Sequence, residues 1–429
     1  MVALTCIIRT RHTFCAVQIK IAGADMLSGF RVLDLTWVLG GPFASQLLAQ
    51  LGAEVIKVEP VEGDLSRRVS SHSTVFEGDS GFFLSVNRGK SSIALDLKSE
   101  QGREVLYDLV RQSDAIIYGF APDVPKRLGL DKQSLLAVNP KIAIGQLIGL
   151  HDEGPYGKAP AFDLVVQAMS GVMSITGNKD AEPVRLGYQA ADLTGGLYLA
   201  LGCVGLMLKA LKSGSGDLLQ VSLLDCQLAM LTWQAQNYFI SGVIPKANGA
   251  RHPVIAPSDI YPCADEQFIA LSPTGQTFWE TFCRAIDRAD LADDPRFDHP
   301  VRRIENVESL TRELNQVFRT RTAADWAAHL FDKRVPAALV NNVAQATSQP
   351  LAHERNMVEE LVHPRTLATL RFMGNPFKYE GSKPASYPPA LGEHTRKILT
   401  QVCGYETSQI DQLIKANIIF QGAINDKAQ

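Results

Sequence analysis

Short apolar runs, each followed by a turn and an amphipathic segment, recur through the first half of the chain and restrict its architecture more than any other feature. "FRVLDL" (30–35) reads as a strand, and "GGPFASQLLAQLG" as a glycine turn at Gly40 and Gly41 opening a helix with Pro42 at its start. "AEVIKVEP" (53–60) reads as a second strand. The unit then repeats: "SSIALDLKS" (91–99), "EQGREVLYDLVRQ", "DAIIYGF" (114–120), a helix carrying "VPKRLGL", and "KIAIGQLIGL" (141–150). Strands that alternate with helices in this way cannot pair as hairpins. They predict an α/β fold whose parallel sheet carries helices on both faces.

Downstream, "KSGSGDLLQVSLLDCQLAMLTW" repeats the turn, strand and helix, with the helix starting at Asp225. "PKANGARHPVIAP" (245–257) breaks the pattern with Gly and Pro, a domain switch. "DIYPCADEQFIALSP" reads as an antiparallel hairpin turning at "ADEQ", residues 276–335 as helical and charged, and strands return from about 337. The expected organisation is an N-terminal extension (1–25), a large domain (26–240), a smaller α+β domain (241–345), and a return to the large domain with a tail (346–429).

With 429 residues the chain has room for such lobes, and its net charge of −3, without a Lys/Arg block, gives no reason to expect nucleic acid. Seven dispersed cysteines without CxxC spacing point to a reducing, cytoplasmic compartment rather than to disulfides or zinc. The histidines show no metal-ligand spacing either. Residues 1–25 hold Arg9, Arg11 and Lys20 with no acid before Asp25. They read as an over-long start, with a mitochondrial transit peptide as the alternative. The apolar stretch 193–211 is nearly long enough to span a bilayer, but four glycines and Lys209 favour a core helix, and no membrane partner is expected.

Candidate chemistry is confined to a few residues. The first turn reads "LGGPFA" and lacks the GxGxxG of dinucleotide binders; P-loop, GxSxG and HExxH motifs are also missing. Asp192 stands at the mouth of the apolar stretch, beside Gly195 and Gly196. It is either a plain helix cap or a desolvated nucleophile. Asp163, 29 residues earlier in "PAFDLVVQAMSG", opens its own predicted helix, so the same cap reading applies. A third acid lies in "LGEHT" (391–395), and Arg88, Lys90, Lys98 and Arg127 read as solvated single cations.

"VLDLTWVLGGPFASQLLAQLGAEVIKVEP", "NRGKSSIALDLKSEQGREVLYDLV", "RLGL", "GPYGKAPAFDLVVQAMSG", "AADLTGG", "RHPVIAPSDIYPCADEQFIAL" and "LGEHT" together resemble the class III CoA-transferases (CaiB/BaiF type), in the right order from about residue 28 to about 405. The resemblance implies a Rossmann-like large domain interrupted by a smaller one, in an interlocked homodimer. It implies Asp192 as nucleophile, in a G-D-x-x-x-G pattern that begins here with Ala191, and Asp163 as the supporting acid. CoA contacts would be Leu95, Lys98, Phe120, Arg127 and Leu128, and the substrate pocket Trp37, Val38, Leu39 and Gly40. No cofactor is bound permanently: a coenzyme A thioester and a small carboxylic acid are the substrates, with succinyl-CoA the first donor to test. Gly119 stands where the family often has a polar residue, and Leu39 where the formyl-CoA enzymes have glutamine, which speaks against formyl or oxalate specificity. Arg251 and His252 are candidates for holding a second carboxylate. Two alternatives are a racemase of acyl-CoA thioesters, whose histidine position is occupied here by Phe162, and a non-catalytic CoA-binding subunit of a heteromeric transferase.

Overall fold

The computed structural model describes residues 25–69, 74–157, 159–380 and 384–422. The basic segment 1–24, with Cys6 and Cys15, lies outside the described residues. Six parallel strands form the main sheet: β1 (Arg31–Leu35), β2 (Glu54–Glu59), β5 (Lys90–Leu95), β6 (Ala115–Tyr118), β7 (Ala143–Ile148) and β8 (Asp217–Ser222). A two-residue hairpin, β3 (Val75–Phe76) and β4 (Asp79–Ser80), intervenes. The sheet order is β14-β5-β2-β1-β6-β7-β8, and the edge strand β14 (Ile419–Phe420) runs antiparallel to β5. β14 escaped the sequence reading because two residues in a tail carry no periodicity.

Alternation along each strand sends side chains to opposite faces. Leu33, Leu35, Ile56, Val58, Ile116 and Tyr118 face helix α3 (Glu100–Arg111). Val32, Val55, Ala115 and Ile117 face α1 (Gly40–Gln50) and α7 (Ala190–Ser213). Between them in the chain come α2 (Gly81–Ser85), α4 (Val124–Leu128), α5 (Lys132–Val138) and α6 (Asp163–Met169). Ser99 caps α3 by accepting the Gly102 N–H, so the helix begins where the sequence implied. α1 starts earlier than expected: Gly40 and Gly41 lie inside its first turn, with Leu39 as the cap position. Gly40 serves a helix crossing rather than a turn, and Gly41 leaves room for the Thr36 side chain. A Cβ on Gly196 of α7 would lie 2.3 Å from the Gly40 carbonyl oxygen.

α7 is long and apolar enough to cross a membrane by length and composition alone. Leu199, Cys203 and Met207 pack into the sheet, whereas Leu201 and Leu211 are exposed. α8 (Leu223–Met230) begins two residues before the expected Asp225, because Ser222 caps it. α9 (Thr232–Ser241) follows.

A second core forms around the sheet β11-β10-β9, comprising β9 (Asp259–Pro262), β10 (Phe268–Leu271) and β11 (Ala337–Leu339). The β9–β10 hairpin turns over 263–267, as "ADEQ" suggested. Helices Gln276–Ala285, Val307–Phe318 and Ala323–Asp332 contribute Trp279, Phe282, Leu314, Phe318 and Trp326 to that core. A further hairpin, β12 (Val358–Val362) and β13 (Thr369–Met373), packs Phe372 with Phe83 and Leu84.

Candidate active site

Order reversal between β1 and β6 opens a crevice at the carboxyl ends of the parallel strands, the usual ligand position in such sheets. A cavity of about 960 Å³ lies there. Its walls include Leu95 and Lys98 after β5, Phe120 after β6, Arg127 and Leu128 of α4, and Trp37 after β1. Sequence spacing could not show that these six residues meet; the strand order brings them together. Trp37 packs edge-on against Phe120 (ring centroids 6.5 Å apart), and Phe120 stacks on Tyr118 at 5.9 Å. Lys98 and Arg127 are exposed, and Arg127 lies 3.6 Å from Asp123. Arg68, also exposed, is a third cation on the wall that the sequence reading missed. Its only signal was the doubled arginine after the second strand. A second cavity of about 770 Å³ shares Phe120 and runs along Gly149 and Leu150 to Phe162, the residue before Asp163.

Asp192 is the third residue of α7, not its cap; Gln189 holds the cap position without a side-chain bond. Capping comes instead from another helix. Asp163 Oδ1 accepts the Ala191 N–H at 2.8 Å, while its Oδ2 accepts from Gln167 Nε2 at 2.6 Å. Nor does Asp163 cap its own helix, since Phe162 is in that position. Buried Gln167 also receives the Leu186 N–H, and Gln227 donates to the Ala190 carbonyl. The first turn of α7 is thereby pinned from both sides.

Among the described residues the Asp192 carboxylate makes no hydrogen bond or ion pair. Burial, and then the charge of Asp163, push it up to about 6. Gly40 lets the start of α1 close on this turn: a Cβ there would lie 2.9 Å from the Asp192 carbonyl oxygen. Trp37 is exposed on the cavity wall, Val38 is half-buried, and Leu39 and Gly40 are buried. The four residues thus run from the cavity to the Asp192 backbone. Val38 holds φ at +68°, where a β-branched residue costs on the order of 1–3 kcal/mol.

Beneath this loop lies a buried charge network absent from the sequence reading. Asp34 accepts the Thr36 N–H and hydroxyl, the Ser45 hydroxyl at 2.6 Å and Lys90 Nζ at 2.9 Å. Lys90 also donates to Asn87 and to the Pro42 carbonyl. Lys57 Nζ donates to the Thr36 carbonyl and pairs with Asp64 at 2.9 Å. Burial would raise Asp34, but Lys90 and Lys57 outweigh it and hold the carboxyl well below the usual range. The expectation of solvated cations is therefore corrected for Lys90 and for Arg88, which is buried against Glu359. Arg251 is also engaged, by Asp259 at 3.0 Å and Glu308 at 2.6 Å, and His252 stacks on Trp233. "LGEHT" is tied to β5: the Gly392 N–H donates to Ser92 Oγ, and His394 Nδ1 accepts the Ser92 N–H.

The profile of CoA-transferase family III matches residues 27–395. The chain belongs to this family. It is 33% identical to a succinate–glutarate CoA-transferase of Agrobacterium fabrum, over 88% of this chain and 95% of that one. Against a human succinyl-CoA:glutarate CoA-transferase the identity is 32%, covering 92% and 90% of the two chains. A CaiB/BaiF family crystal structure from Brucella suis superposes with a TM-score of 0.79 at 31% identity, covering 88% of this chain and all of that one. As a family III member the protein is an enzyme with a CoA-transferase activity, and acyl-CoA is its substrate.

Proposed function

We propose that the enzyme moves coenzyme A from a dicarboxylic acyl-CoA, with succinyl-CoA the first donor, to a free carboxylic acid through an anhydride on Asp192. One observation carries the reading: a half-buried carboxylate without hydrogen-bond partners among the described residues stands at a helix start that other residues pin in place. A carboxylate stripped of water is a far better nucleophile than a solvated one. Its oxygen attacks the thioester carbonyl, the C–S bond breaks, and CoA thiolate leaves a mixed anhydride. The thiolate returns to the aspartyl carbonyl, releasing the donor acid and forming an aspartyl thioester. The acceptor carboxylate attacks that thioester, and the displaced thiolate then takes the acceptor acyl group and frees Asp192. The N–H groups of Gly40 and Gly41 in the first turn of α1, which no side chain caps, are the donors this reading assigns to the developing oxyanion. Lys98, Arg127 and Arg68 supply charge-assisted contacts for the CoA phosphates.

Several relatives are named for succinyl-CoA with glutarate or mesaconate, which supports a dicarboxylic donor. Arg251, already paired with two acids, is a poor anchor for the distal carboxylate. Racemase chemistry is disfavoured because Phe162, 74% exposed, has no proton to carry. A homodimer belongs to the same proposal. α9 contains no buried residue, and Phe239, Ile240, Val243 and Ile244 form an exposed apolar surface of the kind that marks an interface. Light scattering over a hundredfold dilution tests it, and a folded monomer refutes it.

The deciding experiment screens acyl-CoA donors against free acids, with hydroxylamine added during turnover. CoA transfer from succinyl-CoA and a hydroxamate on the peptide "AADLTGG" are expected. Exchange of the acyl α-proton without transfer to any acid, and without modified Asp192, overturns the proposal.

A further inference from the structure

We infer that Asp64 is a positioning residue for the transfer reaction, acting through the left-handed conformation it helps to impose on Val38. The inference rests on the reading of Asp192 as nucleophile, and a chain of contacts joins the two residues. Asp64 Oδ1 accepts the Val38 N–H at 3.3 Å, and Oδ2 pairs with Lys57, whose ammonium holds the Thr36 carbonyl. Asp34 fixes the other side of Thr36 through its N–H and hydroxyl. Val38, between these anchors, stands at φ +68°, a conformation that a β-branched residue leaves when released. Two residues further on, Gly40 meets the Asp192 backbone.

The network is fully inside the protein, with no exposure at the side chains of Lys57, Asp64, Asp34 or Lys90. None of these groups lines the cavity in which CoA is expected. Asp34 and Lys90 also hold Ser45, Asn87 and the Pro42 carbonyl, whereas Asp64 reaches the Asp192 backbone through the path from Val38 to Gly40. Asp64 also caps the turn Leu65–Arg67 through the Ser66 N–H, which gives it an ordinary structural task as well. The two tasks are separable. A glycine at position 38 adopts positive φ without strain and so removes the need for restraint, yet it does nothing for the cap at Ser66.

The test compares Asp64→Ala, Asp64→Asn and the double variant Asp64→Ala with Val38→Gly, in the full-length protein with succinyl-CoA and an accepted acid. Thermal melting is recorded for each. Asp64→Ala is expected to lower kcat at least about tenfold with KM for the acyl-CoA changed less than about threefold, the pattern of a lost transition-state alignment. Asp64→Asn keeps an oxygen for both N–H groups and is expected to lose less than Asp64→Ala. The double variant is expected to be at least about threefold faster in kcat than Asp64→Ala, with any loss of the Val38 side chain from the pocket read in KM, while its melting temperature stays below that of the unsubstituted protein. A double variant as slow as Asp64→Ala, or a kcat that follows melting temperature across the series, overturns the inference. If Asp64→Ala does not fold, the Asp64→Asn pair with and without Val38→Gly gives the same comparison. Absence of a hydroxamate on Asp192 in the unsubstituted protein counts against the nucleophile reading alone, since the loop comparison reads only kcat and KM.

Discussion

Replacing Asp192 by asparagine should make the protein more stable at neutral pH while abolishing its activity. The carboxyl sits at about 6 in the folded chain, against an ordinary 3.8, because burial and Asp163 disfavour the anion. Between those values the folded state binds more protons than the unfolded state, so stability falls as pH rises through the window. The difference of about 2 pH units corresponds to about 3 kcal/mol of destabilisation at pH 7.5, at 1.36 kcal/mol per unit. An anion in the first turn of α7 recovers roughly 0.3–1 kcal/mol from the helix dipole, which asparagine forfeits, leaving a net gain of about 2 kcal/mol. At pH 4 nearly all of the gain should vanish, since Asp192 is then protonated in the folded state and close to its midpoint in the unfolded one. Denaturant unfolding of both proteins at pH 4 and 7.5 measures this directly. A variant that is no more stable at pH 7.5, or whose advantage does not shrink with acid, would show that Asp192 is solvated or paired. The case for a desolvated nucleophile would then fail.

Activity should fall about tenfold per unit below an acid limb centred near pH 6, where Asp192 loses its charge; a flat profile from pH 7 to 5 contradicts this. Asp163→Asn removes the second cause of that elevation and should move the limb towards lower pH, as kcat/KM profiles would show. Gly196→Ala puts a methyl against the Gly40 carbonyl and should cost about 1–3 kcal/mol in unfolding measurements, with activity lost along with the α1–α7 contact. Lys98→Ala and Arg127→Ala should each raise KM for acyl-CoA several-fold, an effect that shrinks at high salt because both groups are exposed.

Local chemistry was enough to place β1, β2, α3 and the β9–β10 hairpin, because a short apolar run, a serine cap and a short polar turn all act within a few residues. It was also enough to single out Asp192 and Asp163, and the motifs carrying the family resemblance are contiguous in the chain. What the two acids do to each other lay beyond it. Asp163 reaches the N–H of Ala191, 28 residues away, and so takes the capping role that spacing alone offered to Asp192. Lys90 is buried on Asp34, 56 residues distant, although an isolated lysine before a strand reads as solvated. A single cation in a sequence carries no sign of the carboxylate that will neutralise it, since burial of charge depends on a partner brought by the sheet register. The order β5-β2-β1-β6 likewise gathers Lys98, Trp37, Phe120 and Arg127 around one cavity. Side-chain periodicity states which face a residue takes; only the packing of distant strands and helices decides what that face meets.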